Sequence, residues 1–270
     1  MKFGLIGHPI EHSLSPALFR AGYDGRYPYD LIQTDSFEEA YGRFVKEYDG
    51  INITAPFKEL ALAKADIVTE ECRLVGATNL LMKTPEGITA YNSDYRGLCV
   101  WLHGLLERSE GTGVARFCQP QFPLTIESRR NVLIVGMGGA GKAAAAAAKS
   151  LGCDTVLMNR TRFSEDIRPL TDFRECFRKA DIIIYNLPVR IPELDELTAE
   201  DFQGASGAKH ILEANYRNPS FDACLLKRMK EANPKSEYTP GQTWLLLQAM
   251  TGYEIFTGET PDLSKMSAQI

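Results

Sequence analysis

Two groups of residues in this chain have the types and spacing for chemistry. The first is Val132-Leu133-Ile134-Val135, followed by Gly136-Met137-Gly138-Gly139-Ala140-Gly141 and an alanine-rich stretch. A β-prone run, a G-x-G-x-x-G turn and a helix start together suit the pyrophosphate of a dinucleotide. Gly136 permits the tight turn, Gly138 lets the backbone approach the anion, and Gly141 lets the helix lie close to the strand, while the free N–H groups of the first helical turn face the negative charge. The expected cofactor contacts therefore include Gly136, Gly138, Gly139, Ala140 and Gly141; the bland alternative is a strand-turn-helix without a ligand. At the end of the next β-prone run stands Asn159-Arg160-Thr161-Arg162. An NAD site would place a carboxylate there for the ribose 2′-hydroxyl. Two guanidinium groups instead suit a 2′-phosphate, so NADP(H) is expected over NAD(H), against the alternative of a solvated basic loop.

The second group lies in the first half, in three polar segments where a strand gives way to a helix. They are His8-Pro9-Ile10-Glu11-His12-Ser13-Leu14-Ser15-Pro16, Asn52-Ile53-Thr54-Ala55-Pro56-Phe57-Lys58, and Gly76-Ala77-Thr78-Asn79 with Asn92-Ser93-Asp94. In open α/β sheets such positions carry ligand contacts. Taken singly each has an ordinary reading: Ser15 or Asp94 as a helix cap, Lys58 as a solvated charge, Asn79 as a loop residue, Tyr216 as a core aromatic and Gln248 as a surface residue of the last helix.

These residues are positioned by short apolar runs alternating with helical patterns, the mark of an α/β fold around mostly parallel sheets. Strands are expected at 3–7, 29–33 and 51–54, then at 80–83 and 88–91 as a hairpin on a sheet edge. Further strands are expected at 131–135, 154–158, 181–185 and 209–213. Helices are expected from Ser15-Pro16, from the capping-box pattern Ser36-Phe37-Glu38-Glu39 to Tyr48, after Pro56, and over 94–107, 141–151, 172–180, 220–232 and 241–256. Residues 109–130, rich in proline and glycine, have no clear period and read as an insertion or crossing segment. The implied organisation is an N-terminal α/β substrate domain, residues 1–103 completed by a returning helix in 241–270, and a C-terminal Rossmann-type dinucleotide-binding domain, residues 104–240.

With 270 residues the chain has room for two domains. A net charge of −5 argues against nucleic acid or an anionic membrane as partner. No apolar run approaches the roughly 18 residues of a membrane span, and the N-terminus lacks the apolar core of a signal peptide. Six scattered cysteines without a C-x-x-C pair read as reduced thiols in the cytoplasm, and four histidines in no ligand pattern imply no metal. A small-molecule substrate is the expected partner.

Together, N-x-T-x-P-F-K at 52–58, S-x-S-P at 13–16 and N-S-D at 92–94 resemble the shikimate dehydrogenase family, over nearly the whole chain from Gly7 to about Gln248. The resemblance implies an NADP-dependent oxidoreductase that reduces 3-dehydroshikimate to shikimate on the way to chorismate and the aromatic amino acids, with substrate held between the two domains. It implies Lys58 as the catalytic lysine and Asp94 as its partner. Ser13 and Ser15 would hold the substrate carboxylate, and Thr54, Asn79, Tyr216 and Gln248 would bind ring hydroxyls or line the pocket. Asn159, Arg160 and Thr161 match the cofactor segment N-R-T. The chain has Tyr95 where the family usually has glycine, Glu213 where it has aspartate, Thr243 in place of a glycine, and Ser164 where an arginine often stands. Alternatives are a quinate/shikimate dehydrogenase using NAD or NADP, and a non-catalytic sensor of pathway metabolites; a homodimer is compatible with each.

Overall fold

Strands that are apolar on both faces need cover on both sides, and the first strand, Phe3–Gly7 (β1), is buried at every residue. The computed structural model describes residues 1–109, 130–203 and 207–270. The five strands expected in the first half, β1, Tyr29–Gln33 (β2), Gly50–Ile53 (β3), Leu80–Thr84 (β5) and Gly87–Tyr91 (β6), are joined by an unexpected one, Ile67–Val68 (β4), in a six-stranded mixed sheet. Its order is β2-β1-β3-β5-β6-β4. β1 runs parallel to β2 and β3, whereas β5 is antiparallel to both β3 and β6. The β5–β6 hairpin is therefore internal: β4 pairs outside it, with Ile67 opposite Thr89. The expectation of an edge hairpin is corrected by a two-residue strand too short to show alternation.

One apolar cluster packs Ile6, Ile32, Phe44, Ile51 and Leu81. A second packs Phe3, Phe19, Leu80, Tyr253 and Phe256, the last two from the long helix Gly241–Thr257. The Phe3 and Phe256 rings stack with centroids 4.8 Å apart. By their contacts the residues divide into two compact units, Met1–Leu98 with Leu245–Ile270, and Cys99–Trp244.

The second unit carries an all-parallel sheet of Asn131–Val135 (β7), Asp154–Met158 (β8), Ile167–Arg168 (β9), Ile182–Tyr185 (β10), His210–Glu213 (β11) and Glu237–Thr239 (β12), in the order β12-β11-β10-β7-β8-β9. The chain builds outward from β7 through β8 and β9, then crosses to the other side of β7 for β10, β11 and β12. That reversal beside β7 is the switch point at which open α/β sheets bind ligands, and it is the Rossmann order. The short strands β9 and β12 were not expected from sequence. Just before β11, Lys209 is fully buried, its Nζ donating to the carbonyls of Phe177 (2.7 Å), Ala180 (2.7 Å) and Arg178 (3.1 Å). These carbonyls lie at the end of the helix Phe173–Lys179, so the lysine closes its C-terminus. Burial pulls the Lys209 ammonium down to about 8, against the raising effect of Asp181 and Asp201.

Helix starts differ from expectation in instructive detail. Ser36 caps the helix Phe37–Glu47 through Glu39 N, but its own N–H goes to Thr34 Oγ1 and not to Glu39, so the capping box is half made. The helix after Ser13 runs Ser15–Gly22 with Leu14 at the cap position. The hydroxyl that accepts a backbone amide there is that of Ser13, from Ser15 N at 3.2 Å, so Ser15 is not the cap. The expected helix at 220–232 begins at Ala223, because Asp222 accepts from Leu225 N at 2.8 Å and fixes the start. Residues 110–129, most of the expected insertion, lie outside the described residues.

Candidate active site

In the second unit, β7 delivers the chain into Gly136, whose φ of +92° only glycine adopts without strain. At Gly141 a Cβ would lie 1.8 Å from the Gly136 carbonyl oxygen, so the helix Gly139–Ser150 approaches the turn as closely as backbone allows. Its cap residue, Gly138, is exposed and no side chain caps the helix. The first-turn N–H groups are thus not claimed by a side chain, which suits an anionic ligand. Asn159, at the end of β8, accepts from Met137 N at 3.1 Å and donates to Thr161 O at 2.9 Å, tying the glycine turn to the N-R-T segment. Arg160 and Arg162 are exposed, and Arg162 also donates to Glu165 O at 3.4 Å. The end of β8 offers guanidinium groups and no carboxylate from residues 159–162, which fits a phosphorylated ribose.

In the first unit, antiparallel pairing puts the end of β3 beside the start of β5 and the end of β6. The three polar segments consequently meet at one end of the sheet. Ile53 N donates to Asn79 O (2.8 Å), Thr78 N to Lys58 O (3.2 Å), and Asn92 Nδ2 to Ala77 O (3.0 Å). The first loop joins them where His8 N donates to Ala55 O at 3.1 Å and Thr54 N to Ile6 O at 2.9 Å. Ser15 is held to the long helix through its carbonyl, which accepts from Tyr253 Oη at 3.1 Å.

Lys58 opens the short helix Lys58–Leu62, and Asp94 stands in the first turn of the helix Ser93–Ser109. Their side chains meet at 2.5 Å from Nζ to Oδ2, although they are 36 residues apart. Neither is sealed: the side chains keep 21% and 15% of their exposure, enough to meet a small ligand. The Tyr95 amide donates to Asn92 Oδ1 at 3.0 Å, so Asn92 takes the capping role that Asp94 could have had. An ammonium that only donates beside a carboxylate that only accepts can hold both ends of an alcohol O–H, or protonate a carbonyl oxygen.

Asn79 and Gln248 also converge here, through Ser93, a residue with no assigned task in the sequence reading. Asn79 Oδ1 accepts from Ser93 N at 2.7 Å, Asn79 Nδ2 donates to Ser93 Oγ at 2.9 Å, and Ser93 Oγ donates to Gln248 Oε1 at 3.3 Å. Tyr216 belongs to the second unit, on the loop after β11, with the Arg217 guanidinium 5.7 Å from its ring centre. That loop is braced by Glu213, fully buried, whose carboxylate accepts from the amides of Ser220 and Phe221 (3.2 Å for the latter) and from Tyr238 Oη at 2.8 Å. Burial, with Glu213 alongside, pushes the Tyr238 phenol up. Glu213 therefore shapes the Tyr216 loop, a role visible in sequence only as the third residue before that tyrosine. Among the described residues no cluster of His, Cys, Asp or Glu is placed to hold a metal ion, and no helix is long and apolar enough to cross a membrane.

Comparison with known proteins places both units. Residues 5–81 match the shikimate dehydrogenase substrate binding domain, and residues 111–205 match the NAD binding domain of D-isomer specific 2-hydroxyacid dehydrogenases. The chain is 26% identical to a shikimate dehydrogenase (NADP(+)) of Carboxydothermus hydrogenoformans, over 99% of this chain and 95% of that one. A crystal structure of shikimate 5-dehydrogenase from Thermus thermophilus in complex with NADP(H) and shikimate aligns with a TM-score of 0.73 and 26% identity, covering 100% of this chain and 98% of that one. Quinate dehydrogenase from Corynebacterium glutamicum in complex with NAD aligns with a TM-score of 0.75 over 100% and 98% of the two chains, at 22% identity, a likeness of fold alone.

Proposed function

The chain belongs to the shikimate dehydrogenase family, and on that premise we propose that it is an NADP-dependent shikimate dehydrogenase, reducing 3-dehydroshikimate to shikimate in aromatic amino acid biosynthesis. The observation that carries the reading is the Lys58–Asp94 pair, 2.5 Å apart at the sheet end where three polar segments meet. Bound NADPH supplies the hydride. Lys58 donates the proton that the substrate carbonyl oxygen gains as it becomes a hydroxyl, and Asp94 accepts from that hydroxyl and orients the ammonium. Ser13 and Ser15 donate to the substrate carboxylate. Thr54, Asn79 and Gln248 hold the ring hydroxyls, and Tyr216 lines the pocket. Gly136 makes the turn, and the backbone N–H groups from Gly138 to Gly141, including Gly139 and Ala140, would hold the pyrophosphate, with Asn159 and Thr161 shaping the turn and Arg160 placed to pair with a 2′-phosphate.

An intact lysine–carboxylate pair is not needed by a sensor, and it favours turnover over the non-catalytic alternative. The scattered thiols and the soluble substrate favour the cytoplasm. The test is initial-rate oxidation of shikimate and of quinate, each with NADP⁺ and with NAD⁺. The expected result is turnover greatest with shikimate and NADP⁺. A folded protein inactive in all four combinations would overturn the enzymatic reading, and faster quinate oxidation with NAD⁺ would move the assignment to the quinate branch.

A further inference from the structure

A carboxamide can face either way until a neighbour that only donates, or only accepts, decides it. At the end of the first sheet such a neighbour exists. The Ser93 backbone N–H can only donate, so the Asn79 atom 2.7 Å from it must be the oxygen. The other end is then the nitrogen, which donates to Ser93 Oγ at 2.9 Å. Having accepted there, the hydroxyl sends its own hydrogen to Gln248, 3.3 Å away, which makes that atom the amide oxygen. Gln248 Nε2 is left on the opposite side, donating to Leu245 O at 3.0 Å. Each amide nitrogen carries two hydrogens, and this network uses one of each.

We propose that Ser93 is a positioning residue that holds Asn79 and Gln248 with one N–H apiece turned to the substrate, so that both amides read ring oxygens as donors. The proposal rests on the reading of this site as a shikimate site. Ser93 is fully buried and acts through its two neighbours. A buried hydroxyl committed as donor and acceptor is costly to lose, because both partners are then free to rotate or go unpaired. The consequence is selectivity: a ring that keeps its hydroxyls meets two aligned donors, and a ring lacking one leaves a buried N–H without a partner.

The test compares wild type, Ser93→Ala and Ser93→Thr in shikimate oxidation with NADP⁺, alongside shikimate analogues that each lack one ring hydroxyl. Threonine keeps the hydroxyl, and its methyl has the side-chain-free Gly252 nearby, where an added Cβ would be 3.1 Å from the Ser93 Cβ. Ser93→Ala should raise KM for shikimate about tenfold, the scale of one or two lost hydrogen bonds, with kcat within about threefold of wild type. Its preference for shikimate over at least one deoxy analogue should fall by a similar factor, and Ser93→Thr should restore both. A folded Ser93→Ala with unchanged KM and unchanged preference would overturn the proposal, as would a loss equal for shikimate and every analogue. If Ser93→Ala loses its thermal transition, Ser93→Cys, nearly isosteric with a weaker donor, reads the same preference. Wild-type protein that neither binds nor turns over shikimate would overturn the functional reading itself, a result distinct from any behaviour of the variants.

Discussion

Two lysines in this chain have unusual surroundings, and they sit in different units. Lys209 is completely buried, donates to three carbonyls and is pulled down to about 8 by its burial. Lys58 is partly exposed and meets a single carboxylate at 2.5 Å. Burial and a perturbed ionisation would single out Lys209 as the functional group, yet the hydrogen bonds its ammonium makes go to main-chain carbonyls and it is buried away from any ligand. Lys58 has one partner able to share a proton and an open side. What separates the structural lysine from the chemical one is the kind of partner and the access of a ligand, more than the strength of the perturbation.

That contrast can be broken by substitution. Lys209→Ala would remove the ammonium from three carbonyls at a helix end, of which Phe177 O keeps a bond from Ala180 N at 3.3 Å, at about 1 to 3 kcal/mol for each group left unsatisfied. We expect the largest effect here, a loss of about 3 kcal/mol or more in denaturant unfolding, with kcat per folded molecule unchanged. Loss of activity without loss of stability would reverse the two roles. Lys58→Ala should do the opposite, lowering kcat about 100-fold or more while circular dichroism, shikimate binding and NADPH binding stay near wild type. Wild-type kcat in that variant would make Lys58 a solvated helix residue.

The cofactor side sharpens the comparison, because there the backbone binds and one side chain selects. Arg160→Ala should weaken NADPH by about tenfold or more, the worth of a charge-assisted hydrogen bond, and leave NADH nearly untouched. Equal losses in isothermal titration would remove the 2′-phosphate from its role. Smallest of these are Ser13→Ala and Ser15→Ala, expected to raise KM for shikimate several-fold with little change in kcat, since a neutral hydrogen bond contributes about 1 kcal/mol. KM values equal to wild type in both would leave Ser13 only its bond to Ser15 N.

The glycine turn was legible in sequence because its function is carried by local backbone: the positive φ at Gly136 and the close approach at Gly141 each demand glycine at a fixed spacing. The strands that frame it were legible for the same reason, being continuous apolar runs. Lys58 and Asp94 could be named only through the resemblance of their segments, since nothing local tells a residue at 58 that its partner is at 94. Harder still were residues whose work depends on a network. Ser93 reads as an ordinary helix-start serine until Asn79 and Gln248 are seen on either side of it, and Glu213 gathers Ser220, Phe221 and Tyr238 from as far as 25 residues away. β4, β9 and β12, two or three residues long, are defined by their neighbours' hydrogen bonds and leave no period to find.

The central claim is that Lys58 and Asp94 act as one unit in proton transfer, and a double-mutant cycle on kcat tests it directly. Lys58→Ala, Asp94→Ala and the double variant would be compared with wild type under saturating shikimate and NADP⁺, each checked for its thermal transition. Groups that act together lose most of their effect when either is removed. The expected result is a double variant no more than about threefold slower than the slower single variant. Losses that multiply across the two sites would show Lys58 and Asp94 working independently and would contradict the account.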